Sequence, residues 1–259
     1  MPMNPRLLRP RASGGFNPKT ISGLVGWWDA SDASTVTTVS GAVSQLNDKS
    51  GLGRNATQTT ANNRPAYSGT INGKNVMTFD GTNDRLVTGL ESNTLTGYAT
   101  FFCVCQVNSG WSDSTANNKA VIFGRNSSDA GASYGLNLTT NAPASGTVGL
   151  AVSWRGLGFN YSGGPGVAKG TPQLLVGRVS AAGRLRRVNG TGSLDTTTLP
   201  ASGTNAAAGN FLVLGEDPTQ LRYWSDRIAE VLVYDRDLSV TEIATIESWL
   251  GKKWGITVE

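Results

Sequence analysis

The sequence predicts an all-β protein: a two-sheet antiparallel sandwich of the jelly-roll kind with one short C-terminal helix. Three observations carry this reading. The 259 residues include 33 Gly, only 15% are charged, and Thr, Ser and Asn fill much of the remainder, a composition of strands and turns. Short β-like runs recur between Gly, Asn, Asp and Pro along the body. Helical periodicity is confined to the last twenty or so residues.

The chain opens with Pro2, Pro5, Pro10 and Pro18 among Arg6, Arg9, Arg11 and Lys19, without an acid. Residues 1–20 therefore read as an extended basic arm, and residues 21–259 as one folded domain. The four arm cations leave 18 of the 22 Lys and Arg in the body, against 18 Asp and Glu. The net charge of +4 thus belongs to the arm, and no specific nucleic-acid site is expected on the neutral body.

Strands are predicted over Leu24 to Trp28, Asn75 to Phe79, Tyr98 to Val107, Lys119 to Gly124, Tyr134 to Thr139, Thr147 to Trp154, Pro172 to Val179, Arg184 to Val188, Asn210 to Gly215 and Arg227 to Tyr234. Asn72-Gly73, Asp80-Gly81 and Asn189-Gly190 are the tight-turn dipeptides expected between antiparallel strands. The helix is predicted from Ser239 as N-cap, with Glu242 completing a capping box. Ile243, Ile246, Leu250 and Trp254 form its buried stripe, and Gly255 ends it.

Cys103 and Cys105 alternate within one apolar strand and read as core residues. No apolar run reaches the roughly 18 residues of a membrane-spanning helix, and the N-terminus lacks the apolar segment of a secretory signal, so synthesis as a soluble chain is expected.

Four ordered motifs carry a resemblance: Gly23-Leu24-Val25-Gly26-Trp27-Trp28-Asp29-Ala30-Ser31-Asp32, Asn47-Asp48-Lys49-Ser50-Gly51, Phe79-Asp80-Gly81-Thr82-Asn83-Asp84, and Ile228 to Arg236 continuing to Lys253-Trp254-Gly255-Ile256. Over residues 21–256 the chain resembles the concanavalin A-like lectin/glucanase superfamily, and within it the laminin-G-like branch. The resemblance implies two antiparallel sheets and a function among glycan binding, assembly into extracellular or virion structures, and β-glucan hydrolysis. A basic, Pro-rich arm before such a domain resembles tailed-bacteriophage virion proteins: capsid decorations, head fibres and tail-associated proteins.

Chemistry narrows these options. The chain contains no histidine, which excludes a Ser-His-Asp triad and a His-ligated metal. The Glu-x-Asp-x-x-Glu strand usual in the superfamily's glucanases is absent, so the expectation is that the chain is not an enzyme. Glu230 is the nearest lone acid; placed on one strand face with Ile228, Leu232 and Tyr234, it reads either as a sugar or metal ligand or as a buried structural carboxylate. Asp80, Asn83 and Asp84 are candidate Ca²⁺ ligands, as in several laminin-G-like relatives, with Asx-turn bonding as the competing reading; no other cofactor is expected. The same turn-forming alternative applies to Asp29, Asp32 and Asp48. Trp154 and Tyr134 fall in phase with core residues, whereas Trp111 and Tyr161 sit among Gly, Ser and Asn and are the candidate glycan-stacking rings.

The function expected from sequence is a non-catalytic structural or adhesive virion protein on the particle surface. It would be anchored to a capsid or tail protein through residues 1–20, with Arg6, Arg9, Arg11 and Lys19 as the assembly contacts. A homo-oligomer, such as a trimer, and contact with cell-surface glycans are part of that expectation. A stand-alone carbohydrate-binding lectin is the alternative, and a glycoside hydrolase is the third.

Overall fold

The computed structural model describes residues 15–111, 119–126, 129–139, 147–154, 165–196, 209–217 and 222–259. These residues are mostly β, in antiparallel sheets, with one α-helix at Val240–Trp254. None of the described helices is long and apolar enough to cross a membrane.

The first large sheet runs in the order Leu24–Asp29, Ser225–Tyr234, Ala99–Val107, Pro172–Ser180, Gly183–Val188, Thr191–Asp195, with Met77–Asp80 also paired to Ser225–Tyr234. The second runs Gly166–Ala168, Thr147–Trp154, Asp129–Thr139, Lys119–Asn126, Phe211–Leu214, Leu86–Glu91, Ala56–Thr57, Ala42–Leu46, Val36–Val39. The chain crosses repeatedly between them, and the first strand closes against the last, with Trp28 opposite Val231.

Alternation along the strands builds two cores from one sheet. Phe101, Cys103, Cys105 and Leu175 point toward the second sheet and join Leu136, Leu150, Val152 and Trp154. Their neighbours Phe102, Val104, Leu174 and Val176 point the other way, onto Ile243, Ile246, Leu250 and Trp254 of the helix. The free cysteines are thus buried core residues on one face, as expected. Burial pushes the Cys103 thiol pKa well up. Gly177 marks a close approach of the sheets, since a Cβ there would sit 2.4 Å from Leu136 Cδ2 and 2.4 Å from Val152 Cγ2.

The helix forms as its sequence predicts. Ser239 Oγ accepts from the Glu242 amide at 3.2 Å, and Glu242 Oε2 accepts from the Ser239 amide at 2.8 Å. Gly255 ends the helix in the left-handed region at φ 65°. Ile243, Ile246, Leu250 and Trp254 are buried against the first sheet.

Two turn expectations stand and one is corrected. Asn72-Gly73 and Asn189-Gly190 turn hairpins with both residues at positive φ. Asp80-Gly81 does not: the strand after Met77–Asp80 is Leu86–Glu91, which belongs to the other sheet. Ser40-Gly41 takes the same two positive angles between Val36–Val39 and Ala42–Leu46, a hairpin that the dipeptide alone did not signal.

The start of the body lies earlier than residue 21. Pro18 is buried in the short 3-10 turn Pro18–Thr20, its carbonyl accepting from Tyr234 Oη at 3.1 Å, and Phe16 packs on Trp249. Lys19 sits exposed on this turn. Arg6, Arg9 and Arg11 lie outside the described residues.

Candidate functional site: an aromatic groove along the C-terminal helix

The site is organised by charges held under the helix. Asp29, at the end of the first strand, and Glu230, opposite it on the neighbouring strand, both accept from Lys253 Nζ, at 2.7 Å each. Glu230 also accepts from Trp27 Nε1 at 2.8 Å and Trp254 Nε1 at 2.6 Å. Lys49 bridges Asp29 at 2.9 Å and Asp32 at 2.8 Å. Asp48 accepts the backbone amides of Trp27, Ser50 and Arg54, which shapes the loop that presents Lys49.

Burial is the largest influence on Asp29 and would raise its pKa, but Lys253, Ser31 and Lys49 together hold it below the usual carboxylate value. Burial, then repulsion from Asp29, pushes Glu230 up. Asp32, bonded to Lys49 and Ser34, is held down at about 2. This network ties the Trp-Trp-Asp strand, the Asp48 loop and the helix into one unit.

Above it lies a groove of about 920 Å³ along the outer side of the helix. Phe16 and Trp249 give it an aromatic floor, with ring centroids 5.8 Å apart and planes at 63°. Trp249 also meets Trp27 edge-on at 5.9 Å, which braces the ring from beneath. Lys74, Lys252 and Lys253 line the groove, with no acid among the lining residues. The Lys253 charge is balanced by Asp29 and Glu230, so the positive character of the groove rests on Lys74 and Lys252. A flat ring beside uncompensated ammonium groups suits a planar or ring-shaped ligand that carries negative charge.

The residues singled out from sequence fall elsewhere. Glu230 is fully buried with both oxygens bonded, so it cannot meet a glycan and the structural reading applies. It does not share a face with Ile228 as expected: the register shifts between Ile228 and Glu230, and this bulge leaves Ile228 in the inter-sheet core while Glu230 turns to the helix with Leu232 and Tyr234. Trp111 is not an exposed loop ring, because it packs against the inter-sheet core, and its carbonyl accepts from Lys169 Nζ at 2.8 Å. Tyr161 lies outside the described residues.

At the Ca²⁺ candidate, Asp80 Oδ1 accepts from the amides of Thr82 and Asn83, and Asp84 Oδ2 from the amide of Asp80. These are the Asx-turn bonds of the competing reading, while Asn83 Oδ1 is buried without a hydrogen-bond partner. No group of three or more His, Cys, Asp or Glu among the described residues could hold a metal. Burial, joined by repulsion from Asp80, raises the Asp84 pKa to about 6.

Trp249, Phe16 and Lys74 were not found from sequence. Trp249 stands one position before Leu250 of the buried stripe, which was the available signal: a Trp off the core face of an amphipathic helix.

No protein-family model and no curated protein matches this sequence. Among solved structures the fold is similar to Trypanosoma rangeli sialidase, with 13% identity and a TM-score of 0.58, over 92% of this chain and 34% of that one. The same sialidase in complex with sialic acid aligns at 14% identity and a TM-score of 0.56, over 92% and 34%. The binding domain of botulinum neurotoxin serotype D aligns at 10% identity and a TM-score of 0.57, over 87% of this chain and 51% of that one. The chain therefore spans about a third of the sialidase and half of the toxin structure, and the likeness is one of all-β fold. It corrects the expectation that the chain is not an enzyme, because a fold found within the chain of a sialidase is an enzyme-associated fold.

Proposed function

We propose that this chain is a glycan-binding module of the concanavalin A-like, laminin-G-like type, which takes an anionic saccharide in the groove at Trp249 and is mounted on a bacteriophage particle through its N-terminal arm. The groove carries the reading: an aromatic floor of Phe16 and Trp249 beside Lys74 and Lys252. A sugar presents an apolar ring face to stack on an indole, and a carboxylate or phosphate on that sugar pairs with the lysines. The solved neighbours support this chemistry at the level of fold, since one is a toxin binding domain and one holds sialic acid, an acidic sugar.

The test is a binding screen of acidic and neutral oligosaccharides followed by Trp249→Ala. Acidic sugars should be retained over neutral ones, more weakly at high salt, and Trp249→Ala should weaken binding at least tenfold, about 1.4 kcal/mol. Binding unchanged in that variant would place the ligand elsewhere.

Mounting on a particle rests on the basic, Pro-rich arm and the sequence resemblance. Deleting residues 1–14 should remove the protein from purified particles while saccharide binding persists, since Phe16 and Pro18 stay with the body. Equal incorporation of the truncated and full chains would leave a stand-alone lectin as the better reading.

A further inference from the structure

Lys74 enters the groove from a segment of its own. It sits on the hairpin of Thr70–Ile71 and Lys74–Asn75, a two-stranded sheet separate from the two large ones. Every other residue that lines the groove belongs to the helix or is Gly15 or Phe16. Where the Lys74 ammonium stands therefore depends on how this hairpin is held.

The base of the hairpin is fixed by packing and by one side chain. Ile71 and Val76 are buried in the helix-side core, and Arg227 Nη1 donates to the Thr70 carbonyl at 3.1 Å. The tip is exposed and reaches the end of the helix through Asn72. Asn72 Nδ2 donates to the Trp254 carbonyl, and to the Gly255 carbonyl at 3.3 Å. Carbonyls at a helix C-terminus lack partners within the helix, and the helix dipole makes that end favour a donor over an anion. The fit is two-sided: a Cβ at Gly255 would lie 3.2 Å from Asn72 Nδ2, so the glycine that ends the helix also leaves room for the amide.

The turn itself does not require an amide. Asn72 and Gly73 take φ 47° and 78°, angles open to Asn, Asp and Gly alike. Of these three side chains only asparagine can also donate to the helix end.

We infer that Asn72 is a positioning residue for the groove: by clasping the end of the helix it holds Lys74 where its ammonium meets the anionic group of a saccharide stacked at Trp249. It thereby sets the preference for acidic over neutral sugars. The inference rests on the glycan reading of the groove and adds the residue that fixes its charge selectivity.

NMR titration with sialyllactose and with lactose, an acidic sugar and its neutral core, tests it. The native chain should bind sialyllactose at least tenfold more tightly than lactose. Lys74→Ala should reduce that ratio about threefold, the scale of one exposed ion pair, and leave lactose binding unchanged. Asn72→Asp and Asn72→Gly, both compatible with the turn, should reduce the ratio to the same extent. Asn72→Gly combined with Lys74→Ala should lose no more than either alone, because both act on one contact. In Asn72→Gly, amide hydrogen exchange should quicken at residues 73–75 and stay at the native rate at residues 243–250, a split that general destabilisation would not produce. Losses that add in the double variant, a ratio unchanged by both Asn72 substitutions, or a ratio unchanged by Lys74→Ala would overturn the role of Asn72 and leave the groove standing. Binding of neither sugar by the native chain, or equal binding of both, would overturn the groove reading, and this inference with it.

Discussion

Buried carboxylates in this molecule do different work according to the donors they meet. Glu230 is satisfied by two indoles and a lysine, so its charge is tolerated and holds the helix to the sheet. Glu247 has one guanidinium and one oxygen without a hydrogen-bond partner, so burial dominates and raises its pKa. Asp84 meets only a backbone amide and stands near a like charge, so its pKa rises to about 6. Because the folded state then holds this proton more tightly than the unfolded chain, stability falls as pH rises from about 4 to about 6. Asp84→Asn keeps an oxygen for the Asp80 amide and removes the charge. It should therefore match the native melting temperature at pH 4 and exceed it at pH 7; equal melting temperatures at both would contradict the assigned shift.

At the scale of elements, the C-terminal helix carries one wall of the proposed groove and so has to be held in place. Its capping box is reinforced by Arg236, whose two terminal nitrogens reach Glu242 at 3.1 and 2.5 Å. Those bonds hold the Glu242 pKa down at about 2, so this contribution is present above about pH 4 and is lost as pH falls toward 2. Ser239→Ala should destabilise the protein by about 1 kcal/mol in urea unfolding. Saccharide affinity should stay within a factor of two, since Ser239 is not among the residues that line the groove at Trp249. The bulge at Ala229 matters at the same scale: it breaks the alternation, so that Ile228 joins the inter-sheet core while Ala229 and Glu230 both lie on the helix side.

For the whole molecule, stability depends on two sheets closing over a shared apolar core while one of them also seats the helix. The closing pairs join distant segments, Leu24 to Tyr234 and Trp28 to Val231, so folding is expected to be slow for the chain's length. Gly177 lets the sheets approach at the centre of the core. Gly177→Ala should cost about 1–3 kcal/mol by forcing Leu136 and Val152 apart. A thermal unfolding midpoint equal to the native value would mean that the sheets yield there.

By itself the amino-acid sequence determined what local rules govern. Strand periodicity, the Asn-Gly turns, the buried phase of Trp154 with Val152, and the Ser239, Glu242 and Gly255 signals of the helix depend on neighbours within a few residues, and those expectations held. The faces of Cys103 and Cys105 were legible for the same reason. Only the tertiary structure decided the site. Trp249 and Phe16 are far apart in the chain, and Lys74 lies on a third segment; no spacing rule joins them, because the groove exists only once the helix docks on the first sheet. Glu230 shares its face with Leu232 and Tyr234 as expected, but Ile228 was misplaced because a bulge breaks the alternation between them, an event set by pairing with Ala99–Val107 and not by the strand's own sequence. Trp111 looked exposed among polar neighbours, yet the core beneath it offers more apolar contact than water does.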